Sequence, residues 1–308
     1  MRIILFCATQ RGYLVLKRLL DLASEHELTV FSFKEQPWEP PFLENIRNLA
    51  LQSNADFFEA KQIHGEHLRD YWENTSVDLI LAVSWRYMIP RSIYSRAKLG
   101  AFIFHDSLLP VYRGFSPTVW AMINGETYTG GTLFEIAEAV DSGPIIDQQK
   151  VMIGELDTIQ TVMDRVTETY IDLLEKHLPD LLRNAAPRLP QDHTKATYTC
   201  KRIPEDNLID WVLSSAAVYN LIRAVTQPYP GAFTFLNGRR LKVWAAEKIP
   251  YGRYVGRVCG RVVEIRPGTG TVVLTGDSAL LLTRVQFENE PIQIADSVID
   301  SLSMTLGK

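Results

Sequence analysis

Between Gly100 and Ile146 (GAFIFHDSLLPVYRGFSPTVWAMINGETYTGGTLFEIAEAVDSGPII) the chain carries a histidine and an aspartate, each supported by an apolar strand pattern. Ala101 to Phe104 read as a buried strand that delivers His105 at its end. A Pro- and Gly-punctuated loop follows (Leu109, Pro110, Arg113, Gly114, Phe115, Ser116, Pro117). A short helical run, a turn at Gly130-Gly131, a second strand and Asp141 in a tight D-S-G-P turn come next. An imidazole and a carboxylate held at two loop tips are the parts of a general acid–base pair.

The elements that must position this pair begin at the N-terminus. Ile3 to Ala8 is a continuous apolar run, as expected of a parallel strand buried on both faces. Thr9-Gln10-Arg11-Gly12 reads as a turn, Tyr13 to Ala23 as a helix and Leu28 to Phe33 as a second strand, which makes a βαβ start. In open α/β sheets the loops at the carboxyl ends of the strands meet ligands. The helix start after the first strand favours an anion, so Thr9, Gln10 and Arg11 are candidate substrate contacts. The stretch matches neither a G-x-G-x-x-G dinucleotide motif nor a P-loop.

Lys34 to Pro41 is a Pro-rich loop, Phe42 to Gln52 a helix, Ala55 to Phe58 a short strand and His64 to Trp72 a further helix. His64 and His67 have metal-compatible spacing but no third ligand in sequence, and read as surface residues. Val77 to Val83 is another buried strand, ending in the polar and aromatic tip Ser84-Trp85-Arg86-Tyr87-Met88-Ile89-Pro90. Ile159 to Leu182 has apolar positions at three-and-four spacing, a long amphipathic helix. Ala185 to Lys195 reads as a linker. Beyond it, one helix (Ser214 to Thr226) precedes strands at Ala232–Leu236, Leu241–Ala246, Arg257–Arg266, Gly270–Thr275 and Ala279–Val285. Gly-containing turns separate most of these strands, the texture of a small β-barrel. The expected fold class is therefore α/β: a Rossmann-like doubly wound domain over 1–200, then a small open OB-like barrel over 201–308.

Composition is ordinary for a globular protein: 308 residues, 46% hydrophobic, 22% charged and a formal net charge of −4. That balance argues against a nucleic-acid surface, which needs clustered Lys and Arg. Three cysteines without a CxxC fit a reducing compartment, and read as buried small hydrophobes. The apolar start Met1 to Phe6 turns polar by Thr9 and reads as a strand rather than a signal peptide. No run approaches a membrane span. A cytoplasmic protein is expected, with no metal.

The segments HDSLLPVYRG, SPTVWAMINGE, TGGTL and VDSGPIIDQ together resemble the signature of the folate-dependent formyltransferases. These include methionyl-tRNA formyltransferase, glycinamide ribonucleotide formyltransferase and the sugar-nucleotide N-formyltransferases. KRIPEDNLIDW and LIRAVTQPYPGAFTFLNGRRLKVWAAE resemble the interdomain join and the C-terminal barrel shared by the tRNA enzyme and UDP-4-amino-4-deoxy-L-arabinose formyltransferase. The resemblance implies 10-formyltetrahydrofolate as co-substrate, a primary amine as acceptor, His105 as the catalytic histidine and Asp141 as its partner. It also implies that Arg86, Tyr87, Met88 and Ile89 pack on the pterin, with Glu138, Ala139 and Val140 closing the other side. Ser107, Leu109, Pro110, Arg113 and Gly114 would shape the mouth toward the amine substrate. Tyr87 reads equally well as core and Arg113 equally well as a loop ion pair, while Trp120 reads as core.

One position departs from the family pattern, Asn-x-His. Ile103 stands where the Asn amide would donate to the formyl oxygen. Loss of one oxyanion donor costs about 3 to 4 kcal/mol of transition-state stabilisation. Ser84, Arg86, a backbone N–H or protonated His105 are the candidate replacements; a slow enzyme and a non-catalytic binding protein are the other readings.

The loop KEQPWEPPFLEN is short and acidic where the tRNA enzyme is rich in Lys and Arg. The favoured acceptor is thus a UDP- or dTDP-linked 4-amino-deoxysugar for a bacterial surface glycan, with methionyl-tRNA as the alternative. Phe233, Phe235 and Trp244 are expected to face inward as barrel core, and a homodimer through the second domain is left open.

Overall fold

A computed structural model describes residues 1–307 and divides them into two compact units. The first comprises 1–117, 129–152 and 163–200; the second comprises 118–128, 153–162 and the described residues from 201 onward. The sequence reading places one boundary near residue 200; by contacts the second unit also takes in 118–128 and 153–162.

In chain order the first unit contains β1 (Arg2–Cys7), α1 (Thr9–Leu22), β2 (Glu27–Ser32), α2 (Leu43–Gln52), β3 (Asp56–Glu59), α3 (Arg69–Asn74), β4 (Leu79–Val83), α4 (Arg91–Tyr94), β5 (Ala101–His105) and β6 (Arg113–Gly114). After α5 (Pro117–Ile123), which lies largely in the second unit, come β7 (Tyr128–Glu135), β8 (Ile145–Met152), α6 (Ile159–Leu182) and β9 (Tyr198–Thr199). Seven strands form one sheet in the order β3-β2-β1-β4-β5-β7-β8. Strands β1 to β5 run parallel, and β7 joins β5 antiparallel, with His105 opposite Thr132. The apolar runs of β1 and β4 are buried throughout, as parallel strands covered on both faces require. Along α6, Val166, Tyr170, Leu173, Leu174 and Leu181 have no exposed surface, and the Tyr170 ring lies 5.1 Å from that of Phe104 on β5.

Three local expectations are corrected. Thr9 to Gly12 is already the first turn of α1, which starts directly after β1 with Thr9 at φ +64°. Gly130 and Gly131 lie inside β7 and make no turn. A Cβ on Gly130 would strike the Gln149 carbonyl and Leu108, and one on Gly131 would strike Thr169, so these glycines permit close approach to neighbouring elements. The stretch 185–195 is no loose linker: Leu189 bridges Ile145 in antiparallel register and Gln191 is buried, and β9 just beyond it pairs in parallel with β6.

The second unit contains α7 (Ser215–Val225), capped by Ser214, whose hydroxyl accepts from the Ala217 N–H at 3.2 Å. It also contains β10 (Ala232–Leu236), β11 (Arg239–Lys248), β12 (Val262–Arg266), β13 (Gly270–Leu274), β14 (Ala279–Phe287) and β15 (Gln293–Ile294). These strands form an antiparallel sheet, β10-β11-β14-β13-β12, with β15 on β14. The expected inward aromatics divide: Phe233 is buried with the core, whereas Phe235 and Trp244 are half-buried. Leu241 and Val243 are fully buried, and Phe233 pairs with Lys242 and Phe235 with Arg240 across the strands. Arg240 sits 3.8 Å over the Phe233 ring and Lys242 5.3 Å over Trp244, both in cation–π contact. Trp120 is half-buried beneath the Arg202 guanidinium, at 4.8 Å.

Of the cysteines only Cys7 is buried; Cys200 is exposed and Cys259 half-buried. Among the described residues no helix is long and apolar enough to cross a membrane, and no group of three or more acidic, His or Cys residues is arranged to hold a metal.

Candidate active site

His105 ends β5 at the carboxyl edge of the sheet, with 8% of its side chain exposed. Its Nε2 lies 2.9 Å from the Tyr112 carbonyl, and its Nδ1 lies 3.6 Å from Asp141 Oδ2. Both ring nitrogens thus face oxygen acceptors. A neutral imidazole has one N–H and can serve only one of them; a protonated ring can serve both. Asp141 comes from the loop after β7 and is itself held, because the Gly114 N–H donates to the same Oδ2 at 2.7 Å. The pair therefore sits in a shell of fixed backbone groups. That is what acid–base chemistry at a nearly buried site needs.

Backbone strain gathers around this pair. Among the described residues nine non-glycine residues have positive φ. Four are asparagines, which tolerate the left-handed region. The other five are Thr9, Ser84, Tyr112, Ser116 and Asp141, at φ between +48° and +64°. They lie just after β1, just after β4, in the loop following β5, and in the turn that carries Asp141. Strain of this kind collects where surrounding structure holds a functional arrangement in place.

The loop 107–111 is braced from the neighbouring strands. Thr132 Oγ1 donates to the Ser107 carbonyl at 2.5 Å, and Gln148 Nε2 donates to the Leu109 carbonyl at 2.9 Å. Ser107 is buried, with its hydroxyl donating to the Val111 carbonyl at 2.7 Å, and Leu109 is buried beside it. Pro110 follows through a cis bond. Gly114 has φ +105°, and a Cβ there would lie 2.5 Å from the Thr199 carbonyl.

Several expected contact residues have their side chains committed elsewhere. Arg113, read equally well as shaping the substrate mouth and as a loop ion pair, is 2% exposed. Its guanidinium instead donates to Gln191 Oε1 at 2.6 and 3.2 Å and to the Tyr198 hydroxyl at 3.2 Å, and lies 2.9 Å from His193 Nδ1. Arg11 is buried too, donating to Asp106 Oδ1 at 2.6 Å and to Thr167 at 3.1 Å. Burial opposes ionisation of Asp106, but the Arg11 charge and hydrogen bonds from Arg11 and Tyr170 outweigh it and hold the carboxyl below the usual range. Thr9 is half-buried and Gln10 exposed at the same strand end.

Arg86 forms a two-pronged ion pair with Glu39, including a 2.8 Å contact to Oε2. The Tyr87 ring packs edge-on against Phe33 at 4.9 Å, and Ile89 is buried in the core. Met88 is 72% exposed, and Glu138, Ala139 and Val140 are exposed on the Asp141 loop. Ile103 lies two residues before His105, between Ala82 and Phe134 in the sheet, and is half-buried against the apolar cluster of β1 and β4. A groove of about 730 Å³ lies elsewhere, at the amino ends of β1 to β3, lined by Arg2, Asp21, His26 and Asp56 among others. It is remote in topology from His105.

Gln191 was missed from the sequence because it sits in a polar, Pro-containing stretch with no periodicity. The run Ala196-Thr197-Tyr198-Thr199, rich in β-formers, was the available sign that this stretch pairs with something.

An open α/β unit with a histidine–carboxylate pair at its carboxyl edge is followed in sequence by an antiparallel β unit. Residues 15–178 match the formyl transferase family and residues 202–302 match the formyl transferase C-terminal domain, so the chain belongs to the formyl transferase family. It is 32% identical over 267 residues to the bifunctional polymyxin resistance protein ArnA of Wigglesworthia glossinidia brevipalpis, covering 87% of this chain but 40% of that protein. The chain therefore spans about two fifths of the length of that curated relative. In fold it resembles the N-formyltransferase of Helicobacter canadensis, solved with folinic acid and dTDP-3-aminofucose (TM-score 0.68, 17% identity, 93% of this chain and 99% of that one). It also resembles methionyl-tRNA formyltransferase from Clostridium thermocellum (TM-score 0.57, 20% identity, 81% of this chain and 94% of that one).

Proposed function

We propose that this chain transfers the formyl group of 10-formyltetrahydrofolate to the primary amine of a nucleotide-linked amino-deoxysugar. The observation that carries this reading is the nearly buried His105–Asp141 pair, with its carboxylate pinned by the Gly114 amide, in a chain of the formyl transferase family. The amine nitrogen attacks the formyl carbon, a C–N bond forms and the carbonyl oxygen gains negative charge. The amine must lose a proton and the folate N10 must gain one as its bond to the formyl carbon breaks. A single imidazole oriented by Asp141 can take the first proton and return the second.

The loops expected to hold the pterin leave Met88 and Val140 as exposed apolar surface, which supports packing against the faces of a flat ring. At the oxyanion, Ile103 offers no donor, and Arg86 is engaged by Glu39. Ser84 follows Val83, whose partner across the sheet is Phe104, so its hydroxyl belongs to the residue alongside His105. It is the best-supported substitute donor.

The sugar acceptor is favoured over methionyl-tRNA by the acidic segment 34–45, where Glu39 binds Arg86 and Glu35 accepts from the Phe42 N–H at 3.0 Å. The dTDP-3-aminofucose of the Helicobacter canadensis relative supports the same class. A UDP- or dTDP-linked 4-amino sugar destined for a surface glycan remains the specific reading. The test is incubation with 10-formyltetrahydrofolate and dTDP- or UDP-linked 3- and 4-amino sugars, followed by mass spectrometry. Gain of one formyl group on an amino sugar is expected. Formylation of methionyl-tRNA alone would overturn the sugar reading, and ligand binding with no transfer to any amine would overturn the catalytic one.

A further inference from the structure

The stretch from Arg188 to Thr199 runs beside the segments that carry the partners of His105 and is tied to them at successive points. Leu189 exchanges two 2.8 Å backbone bonds with Ile145, at the end of the Asp141 loop. Gln191 Nε2 donates to the Asp141 carbonyl at 2.9 Å and to the Gly143 carbonyl at 2.6 Å, while its Oε1 accepts from Arg113. Thr197 accepts from the Tyr112 N–H through its hydroxyl at 2.8 Å and from the Arg113 N–H through its carbonyl at 2.9 Å. β9 then pairs with β6, which contains Gly114.

Tyr112 and Asp141 face the two ring nitrogens of His105 and Gly114 holds Asp141, and all three are tied to this strap. Asp141 and Tyr112 both have positive φ, so neither would keep its conformation without outside restraint. Gln191 is the junction, for its one amide bonds the Asp141 turn on one side and the Arg113 guanidinium of the Gly114 segment on the other. It is 7% exposed, and Arg113 is 2% exposed. A buried amide satisfied on both ends has one orientation, and it fixes the spacing of whatever it joins.

We propose that Gln191 is a positioning residue for the reaction, setting Asp141 against His105 by clamping the Asp141 turn to the Gly114 segment. This rests on the formyl-transfer reading for its kinetic consequence but not for its structural one. Gln191→Glu separates the two halves of the clamp. A carboxylate still accepts from Arg113 but cannot donate to the Asp141 and Gly143 carbonyls. Gln191→Ala removes both.

The test uses the full chain with ¹⁵N-labelled histidine, the His105 ring signals being assigned by their loss in His105→Gln. Thermal melting checks that each variant is folded. In Gln191→Glu the His105 ring signals and their pH titration are expected to move. With an active parent, kcat should fall on the order of 10²-fold while KM for the formyl donor changes less than about threefold, the pattern of misplaced catalytic groups rather than lost binding. A folded Gln191→Glu with unmoved ring signals, or with kcat unchanged in an active parent, would overturn the proposal. If Gln191→Ala does not fold, Gln191→Glu decides alone. If the parent transfers no formyl group, the functional reading fails and the ring spectrum still decides whether Gln191 sets His105.

Discussion

Asp141 Oδ2 lies 3.6 Å from His105 Nδ1 and only 2.7 Å from the Gly114 nitrogen, so in the resting site the carboxylate is bonded to the backbone and stands off from the ring. Its closest commitment is to the loop that also supplies the Tyr112 carbonyl to the other ring nitrogen. Asp141 is thus positioned to support charge on the imidazole without holding it rigidly. Acid–base sites without bound substrate often show such long contacts.

Asp141→Asn keeps an acceptor for the Gly114 N–H and removes the negative charge. Formyl transfer is expected to fall by about 10²- to 10⁴-fold, the usual worth of general acid–base catalysis, with little change in melting temperature. Steady-state rates alongside thermal melts check this, and a fully active variant would remove Asp141 from the mechanism.

Ile103→Asn restores a donor two residues before His105. Where a second donor at the oxyanion is lacking, the gain is up to about 3 to 4 kcal/mol in transition-state stabilisation. Ser84→Ala is expected to lower kcat in the parent and to cost less in Ile103→Asn, since the two donors serve one oxygen. Equal losses in both backgrounds would show that Ser84 acts elsewhere.

Gly114→Ala introduces a side chain at φ +105° against the Thr199 carbonyl. The conformation alone costs about 1 to 3 kcal/mol. Relief of the clash requires β6 and β9 to separate. Urea denaturation should show the loss, and limited proteolysis should open 188–199 before the rest of the first unit.

Acid stability should report on Asp147. Burial would raise its pKa, but hydrogen bonds from Lys176, His177 and the Gln148 amide outweigh that and hold it at about 2, against an ordinary value of 3.8. A depressed folded-state pKa gives stability that is present above the unfolded value, near pH 4, and lost as pH falls through about 2. The stability difference between the parent and Asp147→Asn, measured in urea, should therefore shrink from pH 5 toward pH 2. A difference that stays constant over this range would mean that Asp147 contributes no linkage.

The sequence alone determined the parts that depend on local pattern. Continuous apolar runs at β1 and β4 require burial on both faces and so mark a parallel sheet, and α6 follows its three-and-four spacing over the residues read for it. His105 at a strand end and Asp141 in a D-S-G-P turn were legible because each residue type has its chemistry built in. Only the tertiary structure decided what surrounds them. Arg113, Arg11 and Arg86 look alike in sequence as ligand cations, yet their fates depend on which buried acceptor lies within reach, and Gln191, Asp106 and Glu39 are far away along the chain. Gly130 and Gly131 read as a turn because glycine permits one; only neighbours packed too close for a Cβ reveal the other reason for glycine. The strap from Arg188 to Thr199 was invisible for the same cause. Its long-range hydrogen bonds run to residues 44 to 89 positions earlier, and no local periodicity records a partner that distant.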